Sequence, residues 1–271
     1  MPNRVVLSAS PAAAACVVLL LHMPHGEVSF ARLGDDRWTW VAPADGGGDA
    51  ASLPWRYGYC DAMYSDVDRL FYLLQLDASM YSLDLNGPSP VATKIIGGVP
   101  GSADPTKYLV QAPDGDILQV WRWRKYEDSS TPVDLPPDLV DDDEVQDPFS
   151  ELNTTGVQLF EVDLHGHRLE MIRSLPDYAL FLGFNGSMCL PVKDFAGLKP
   201  DCAYVTDDFV EYVNVLKYNR REIGIWSMAD QTMSKLVDVS PVVYPWLNWP
   251  SPIWIKPSLG ELLCTKYFVS V

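Results

Sequence analysis

Apolar residues recur at every second position in short runs, and glycine, proline, aspartate and asparagine divide the runs. RVVLSAS (4–10), CVVLLLHM (16–23), EVSFARLG (27–34) and RWTWVAP (37–43) form a first group, with turns such as MPHGE and GDD between them. A period of two sends alternate side chains to opposite faces, so each run predicts a strand. GYCDAMYS, RLFYLLQLD, SMYSLDLN and PVATKIIG make a second group between 58 and 97. KYLVQAP, DILQVWRWRKY, GVQLFEVDL and HRLEMIRS make a third, and a fourth with part of a fifth runs from YALFLGFN to SPIWIKPSL. Only DDFVEYVNVLKYN (207–219) reads at helical spacing, and its β-branched and aromatic residues argue against a helix.

The groups return about every forty residues once one long insert is set aside. Four short strands per period is the pattern of propeller blades. One four-stranded sheet cannot bury both faces alone, and stacking the sheets around an axis buries each against the next. The expected fold is all-β, a single β-propeller domain over 1–271 with four to five four-stranded blades. The insert, EDSSTPVDLPPDLVDDDEVQDPFSELNTT (127–155), is rich in Pro, Asp and Ser and has no period. It reads as a flexible acidic excursion from a blade edge. APADGGGDAASLP (42–54) reads as a second, smaller flexible loop.

Composition narrows the partners. A chain of 271 residues, 48% hydrophobic, has ample material for a core. Its formal net charge of -16 repels phosphate backbones and anionic lipid, which argues against nucleic-acid and membrane binding and favours a basic protein surface. PAAAACVVLLLHMPHG is shorter than the roughly 20 apolar residues a span requires, and it follows a β-type segment that a signal peptide does not need. Five cysteines, none in a C-x-x-C pair and most among apolar neighbours, read as reduced, buried thiols in a cytoplasmic or nuclear protein.

Candidate chemistry is sparse. LGFNGSMCLPVKDFAGLKPDCAYVTDD (182–208) holds a serine, a lysine, two cysteines and several aspartates. Ser187 lacks a G-x-S-x-G elbow, and only four histidines exist to serve as a base. NGS suits a turn, AGLKP a loop, and the aspartates of TDD a strand end where they cap amides or face solvent. His165 and His167 flank a glycine that marks a hairpin turn, and no third ligand is nominated for a metal. DDDE (141–144) lacks the alternation and glycine of a calcium loop. In QVWRWRKY (119–126), alternation puts Trp121 and Trp123 on one face and Arg122 and Arg124 on the other, where the arginines would pair with local acids. No catalytic, cofactor or metal residues are expected. The candidate protein-binding residues are the acidic arm Asp141, Asp142, Asp143 and Glu144, and the tryptophans Trp246 and Trp249 of YPWLNWPSPIWIKP.

Two long stretches carry a resemblance. RVVLSASP with CVVLLLHMPHGEVSFARLGDDRWTWV, and ALFLGFNGSMCLPVKDFAGLKPDCAYVTDD, resemble the KIB-type β-propeller domain of plant F-box proteins. The second matches the family pattern at Leu182, Gly183, Asn185, Ser187, Phe195, Gly197, Leu198, Lys199, Pro200, Cys202, Tyr204, Thr206, Asp207 and Asp208, and SPIWIKPSL is similar to its last strand. The resemblance implies a protein-interaction module that recognises substrates for an SCF-type E3 ubiquitin ligase. The resemblance also implies the expectation that this chain lacks the F-box and first blades with which relatives usually begin. A Skp-type adaptor is therefore not expected to dock, and an open arc of blades is expected to self-associate unless four to five blades close a smaller ring. The alternatives from other classes are a propeller-based hydrolase or lyase and a non-functional truncated gene product.

Overall fold

The strand groups read from the sequence become sheets in the computed structural model, which describes residues 4–9, 15–22, 26–41, 58–133, 147–216, 218–236 and 253–254. The first group forms β1 (Arg4–Leu7), β2 (Val17–His22), β3 (Glu27–Arg32) and β4 (Thr39–Trp40), an antiparallel meander in chain order. The second forms β5 (Tyr59–Ser65), β6 (Leu70–Gln75), β7 (Met80–Asp84) and β8 (Val91–Ile96), and the third β9 (Thr106–Gln111), β10 (Ile117–Asp128), β11 (Ser150–Asp163) and β12 (Arg168–Ile172), both also in chain order.

The fourth sheet departs from this plan. It holds β13 (Tyr178–Leu182), β14 (Met188–Pro191), β15 (Cys202–Val205), β16 (Gly224–Ser227) and β17 (Thr232–Lys235) in the order β14-β13-β15-β16-β17, with β13 and β15 parallel. What read as one blade and part of another is, over 178–235, one five-stranded sheet.

Stacked faces make the core. Leu19, Leu21, Val28 and Phe30 of the first sheet meet Phe71, Leu73, Tyr81 and Leu83 of the second. Tyr72, Leu74 and Met80 meet Leu109 and Ile117 of the third. Val110, Val120 and Leu159 of the third meet Leu180, Leu182, Ala203 and Trp226 of the fourth. Each sheet is thus covered by its neighbour, as the repeat demands, and the molecule is a β-propeller with four blades among the described residues. β1, β5 and β9, edge strands of successive sheets, lie side by side, and β14 approaches β9.

Two sequence expectations change. First, Val210–Val215 forms a short helix, α1. Tyr212 and Leu216 bury themselves against Leu152 of β11, and this packing outweighs the β propensity of the segment. Second, only the two ends of the 127–155 insert, 127–133 and 147–155, are seen to be ordered, and 134–146 lie outside the described residues. β10 runs to Asp128, β11 starts at Ser150, and Leu152, Thr154 and Val133 are buried. The Asn219 amide donates to the carbonyls of Asp147 at 2.7 Å and Ser150 at 2.6 Å, while Arg220 donates to Ser129 Oγ at 2.9 Å and the Thr131 carbonyl at 2.8 Å. A composition-only reading could not see these clamps, because they come from residues some seventy to ninety positions later.

The Leu-Gly-x-Asn part of the motif has a steric reason. A Cβ on Gly183 would run into Thr206 Oγ1 and touch the Trp254 ring. Asn185 brackets the Trp254 backbone, accepting from its N–H at 3.1 Å and donating to its carbonyl. The Trp254 indole N–H donates to the Leu182 carbonyl at 2.9 Å, and its ring packs edge-on against Phe181. Gly183→Ala is expected to destabilise the protein by about 1–3 kcal/mol, the usual cost of overpacking. Urea unfolding followed by tryptophan fluorescence checks this, and an unchanged midpoint would contradict it.

Candidate functional site

β1, β5 and β9 begin at one end of the propeller, and the segments after β13 and β15 arrive at the same end. This is where charged residues interrupt the apolar pattern. Arg4 opens β1, Asp61 sits in β5, Lys107 and Tyr108 in β9, and Arg122 and Arg124 in β10. Asp61 is buried and ion-paired with Arg4, and its oxygens accept the backbone N–H groups of Ala62 at 2.6 Å and Leu109 at 2.8 Å. Burial raises the Asp61 carboxyl above its ordinary range, with Arg4 opposing. Arg4 also donates to the Gly183 carbonyl at 3.1 Å, which ties the first strand to the fourth sheet.

A second cluster lies deeper. Arg122 is fully buried and donates to Thr154 Oγ1 at 2.8 Å, the Thr206 carbonyl at 2.8 Å and Glu222 Oε2 at 2.6 Å. Glu222 Oε1 accepts the Thr154 N–H at 2.8 Å. Asp208 Oδ1 is ion-paired with Arg124, lies 3.5 Å from Arg122, and accepts the Tyr108 hydroxyl at 3.1 Å. Asp207, also buried, accepts no hydrogen bond from the described residues, and burial pushes its carboxyl up to about 6 against the pull of Arg124, Arg221 and Arg122. Charges taken from water this far persist when partnered, and this cluster partners most of its members.

Arg4 of the first cluster and Tyr108 and Asp208 of the second line a cavity of about 610 Å³. Leu76, Pro105, Phe184, Phe209 and Val210 supply apolar wall, Arg4, Lys107 and Asp208 the floor, and Asp104 and Glu211 charged rim. Lys107 is turned away from reaction: its ammonium donates to the carbonyls of Ser102 and Pro105 and lies 5.2 Å from the Trp121 ring. Cys60 also lines the cavity, and burial pushes its thiol up to about 12, so it is held as the unreactive thiol at neutral pH.

Several sequence readings take a different form here. The arginines of QVWRWRKY do occupy one face, but their partners are Asp208 and Glu222, remote in the chain, and not local acids. The aspartates of TDD neither face solvent nor cap amides, because β15 carries them into the cluster. His165 and His167 lie in the turn between β11 and β12, and the His167 Nδ1 meets the Ile95 carbonyl at 3.0 Å. Among the described residues no group of three or more His, Cys, Asp or Glu is placed to hold a metal ion. Cys16, Cys60, Cys189 and Cys202 are free thiols. Asp141, Asp142, Asp143, Glu144, Trp246 and Trp249 lie outside the described residues.

Sequence reasoning did not single out Arg4, Asp61, Lys107, Tyr108, Asp104, Phe209, Glu211 or Glu222. The signal available was a charge at an inward position of an otherwise apolar run, as in GYCDAMYS and TKYLV.

A family model described as KIB1-4 beta-propeller matches residues 1–227. No curated protein and no solved structure matches the chain.

Proposed function

The chain belongs to the KIB1-4 β-propeller family, and from that premise we propose that it recognises protein substrates, as the propeller of a plant SCF-type E3 ubiquitin ligase F-box protein would. The supporting observation is the cavity at the end of the propeller. At about 610 Å³ it falls within the range of roughly 300–1,000 Å³ typical of binding pockets, and it joins an apolar wall to charged side chains that can orient a guest. Its floor is built for binding and not for turnover. Asp208 is held through one oxygen by the buried Arg122 and Arg124 behind it, Lys107 is held by carbonyls, and Cys60 stays protonated. A hydrolase or lyase would need a nucleophile or base free to move a proton, and neither the Lys107 ammonium nor the Cys60 thiol is free to do so. Among the described residues no helix is long and apolar enough to cross a membrane.

The test is proximity labelling in plant cells with wild type and Ala103→Trp compared. Ala103 is exposed at the cavity mouth, so the indole blocks entry without disturbing the core. A defined set of proteins labelled by wild type, depleted about tenfold by the blocked variant at unchanged thermal stability, is the expected result. An identical set from both forms would overturn the assignment of recognition to this cavity.

A further inference from the structure

We propose that the cavity, taken as the recognition site above, receives a basic side chain, lysine or arginine, presented by the partner protein. The charges that remain available in it are the anionic ones. Arg4 faces Asp61 and the carbonyls of Gly183 and Phe184. Lys107 is 1% exposed and spends its ammonium on two carbonyls and the Trp121 face. Both cations are consumed by the protein itself.

The carboxylates are in the opposite condition. Asp104 and Glu211 are exposed on the rim and make no ion pair among the described residues. Asp208, on the floor, takes Tyr108, Arg122 and Arg124 all on Oδ1, and its Oδ2 makes no hydrogen bond or ion pair among the described residues. Asp208 is 8% exposed and lines the cavity. An acceptor oxygen at the bottom, apolar walls above and two carboxylates at the mouth match the anatomy of a long basic side chain. Its methylene stem would pack on Phe184, Phe209 and Val210, and its cationic head would find carboxylate at either end. The field of the whole chain, at a formal net charge of -16, acts in the same direction. An acidic ligand would meet three carboxylates, and the arginine and lysine beneath would first have to leave their present partners.

The experiment uses probes that carry only the disputed chemistry: n-butylguanidinium, pentanoate and pentan-1-ol, titrated against the full chain by NMR. Butylguanidinium is expected to bind about tenfold tighter than pentanoate in low salt and to lose most of that advantage near 0.15 M salt, as screened carboxylates require. The surface double variant Asp104→Asn/Glu211→Gln should reduce the preference at least about threefold while leaving pentanol binding unchanged. Equal or tighter binding of pentanoate would overturn the proposal, as would absence of binding by any probe. Partner proteins lost in Ala103→Trp but fully retained by the double variant would sink the basic side chain alone. Partners indifferent to both variants would sink the recognition site with it.

Discussion

Arg122→Met is expected to cost the protein about 3–5 kcal/mol, the loss seen when one member of a buried ion pair is removed and the other stays charged. The guanidinium is fully buried and spans three segments of chain: Thr154 in β11, the Thr206 carbonyl after β15, and Glu222 before β16. Methionine fills most of the space but leaves Glu222 with only the Thr154 N–H and hydroxyl. Adding Glu222→Gln removes the stranded charge, so Arg122→Met/Glu222→Gln should be less damaged than the sum of the single variants by about 1–3 kcal/mol, the signature of a coupled pair. Urea unfolding of the four proteins closes the cycle. A loss below about 1 kcal/mol in Arg122→Met would mean that the cluster contributes no net pairing energy. The functional consequence is separate from stability. Arg122 and Arg124 both hold Asp208 Oδ1, so the floor of the cavity should loosen even in molecules that remain folded.

The order of strands could be read from the chain because alternation is local. β1 to β12 fall on the twelve runs of the first three groups, from RVVLSAS to HRLEMIRS, and each is bounded by a turn whose residues announce it. Leu73 and Leu83 are buried because they occupy the same face of neighbouring runs, which a period of two already implies. What escaped was whatever depends on contacts between distant segments. The helix at Val210–Val215 exists because Leu152 lies beneath it, and no spacing within DDFVEYVNVLKYN could say so. The ends of the 127–155 insert looked unstructured because Asn219 and Arg220, their clamps, belong to another blade. The site was hidden for the same reason. Arg122 and Arg124 were visible as a face, but a face does not name its partners. Asp207 and Asp208 looked like solvent residues because an aspartate at a strand end usually is one. A charged residue inside an apolar strand, Asp61 in GYCDAMYS or Lys107 in TKYLV, is the clue that survives in sequence, since burying it obliges the fold to supply a partner.

Asp207→Asn is expected to stabilise the protein at pH 7 by an amount on the order of 2–3 kcal/mol, and not to do so at pH 4. Burial lifts this carboxyl from an ordinary 3.8 to about 6, and no hydrogen bond from the described residues compensates. Between those two values the folded protein binds more protons at Asp207 than the unfolded chain. Stability attributable to this residue is therefore highest at or below the unfolded value, falls as pH rises through the window, and stays low above about 6. The amide keeps the shape and never ionises, so the advantage of the variant should open across that window and then level off. Unfolding curves at pH 4, 5, 6 and 7 measure it, and a variant less stable than wild type at pH 7 would show that the carboxylate is held by a partner after all. The charge that costs stability also has a use. Asp207 acts electrostatically on Arg122, Arg124 and Arg221 and on Asp208, which lines the cavity, and Asp207 is among the groups that raise the Arg122 guanidinium. Neutralising one carboxylate leaves the arginines in excess beside the cavity, which opposes a cationic guest. The same substitution that strengthens the fold should then weaken butylguanidinium binding at pH 7 by about threefold or more, a trade of stability for function located in one side chain. Tighter binding by the amide variant would break that link and separate the deep cluster from the work of the cavity.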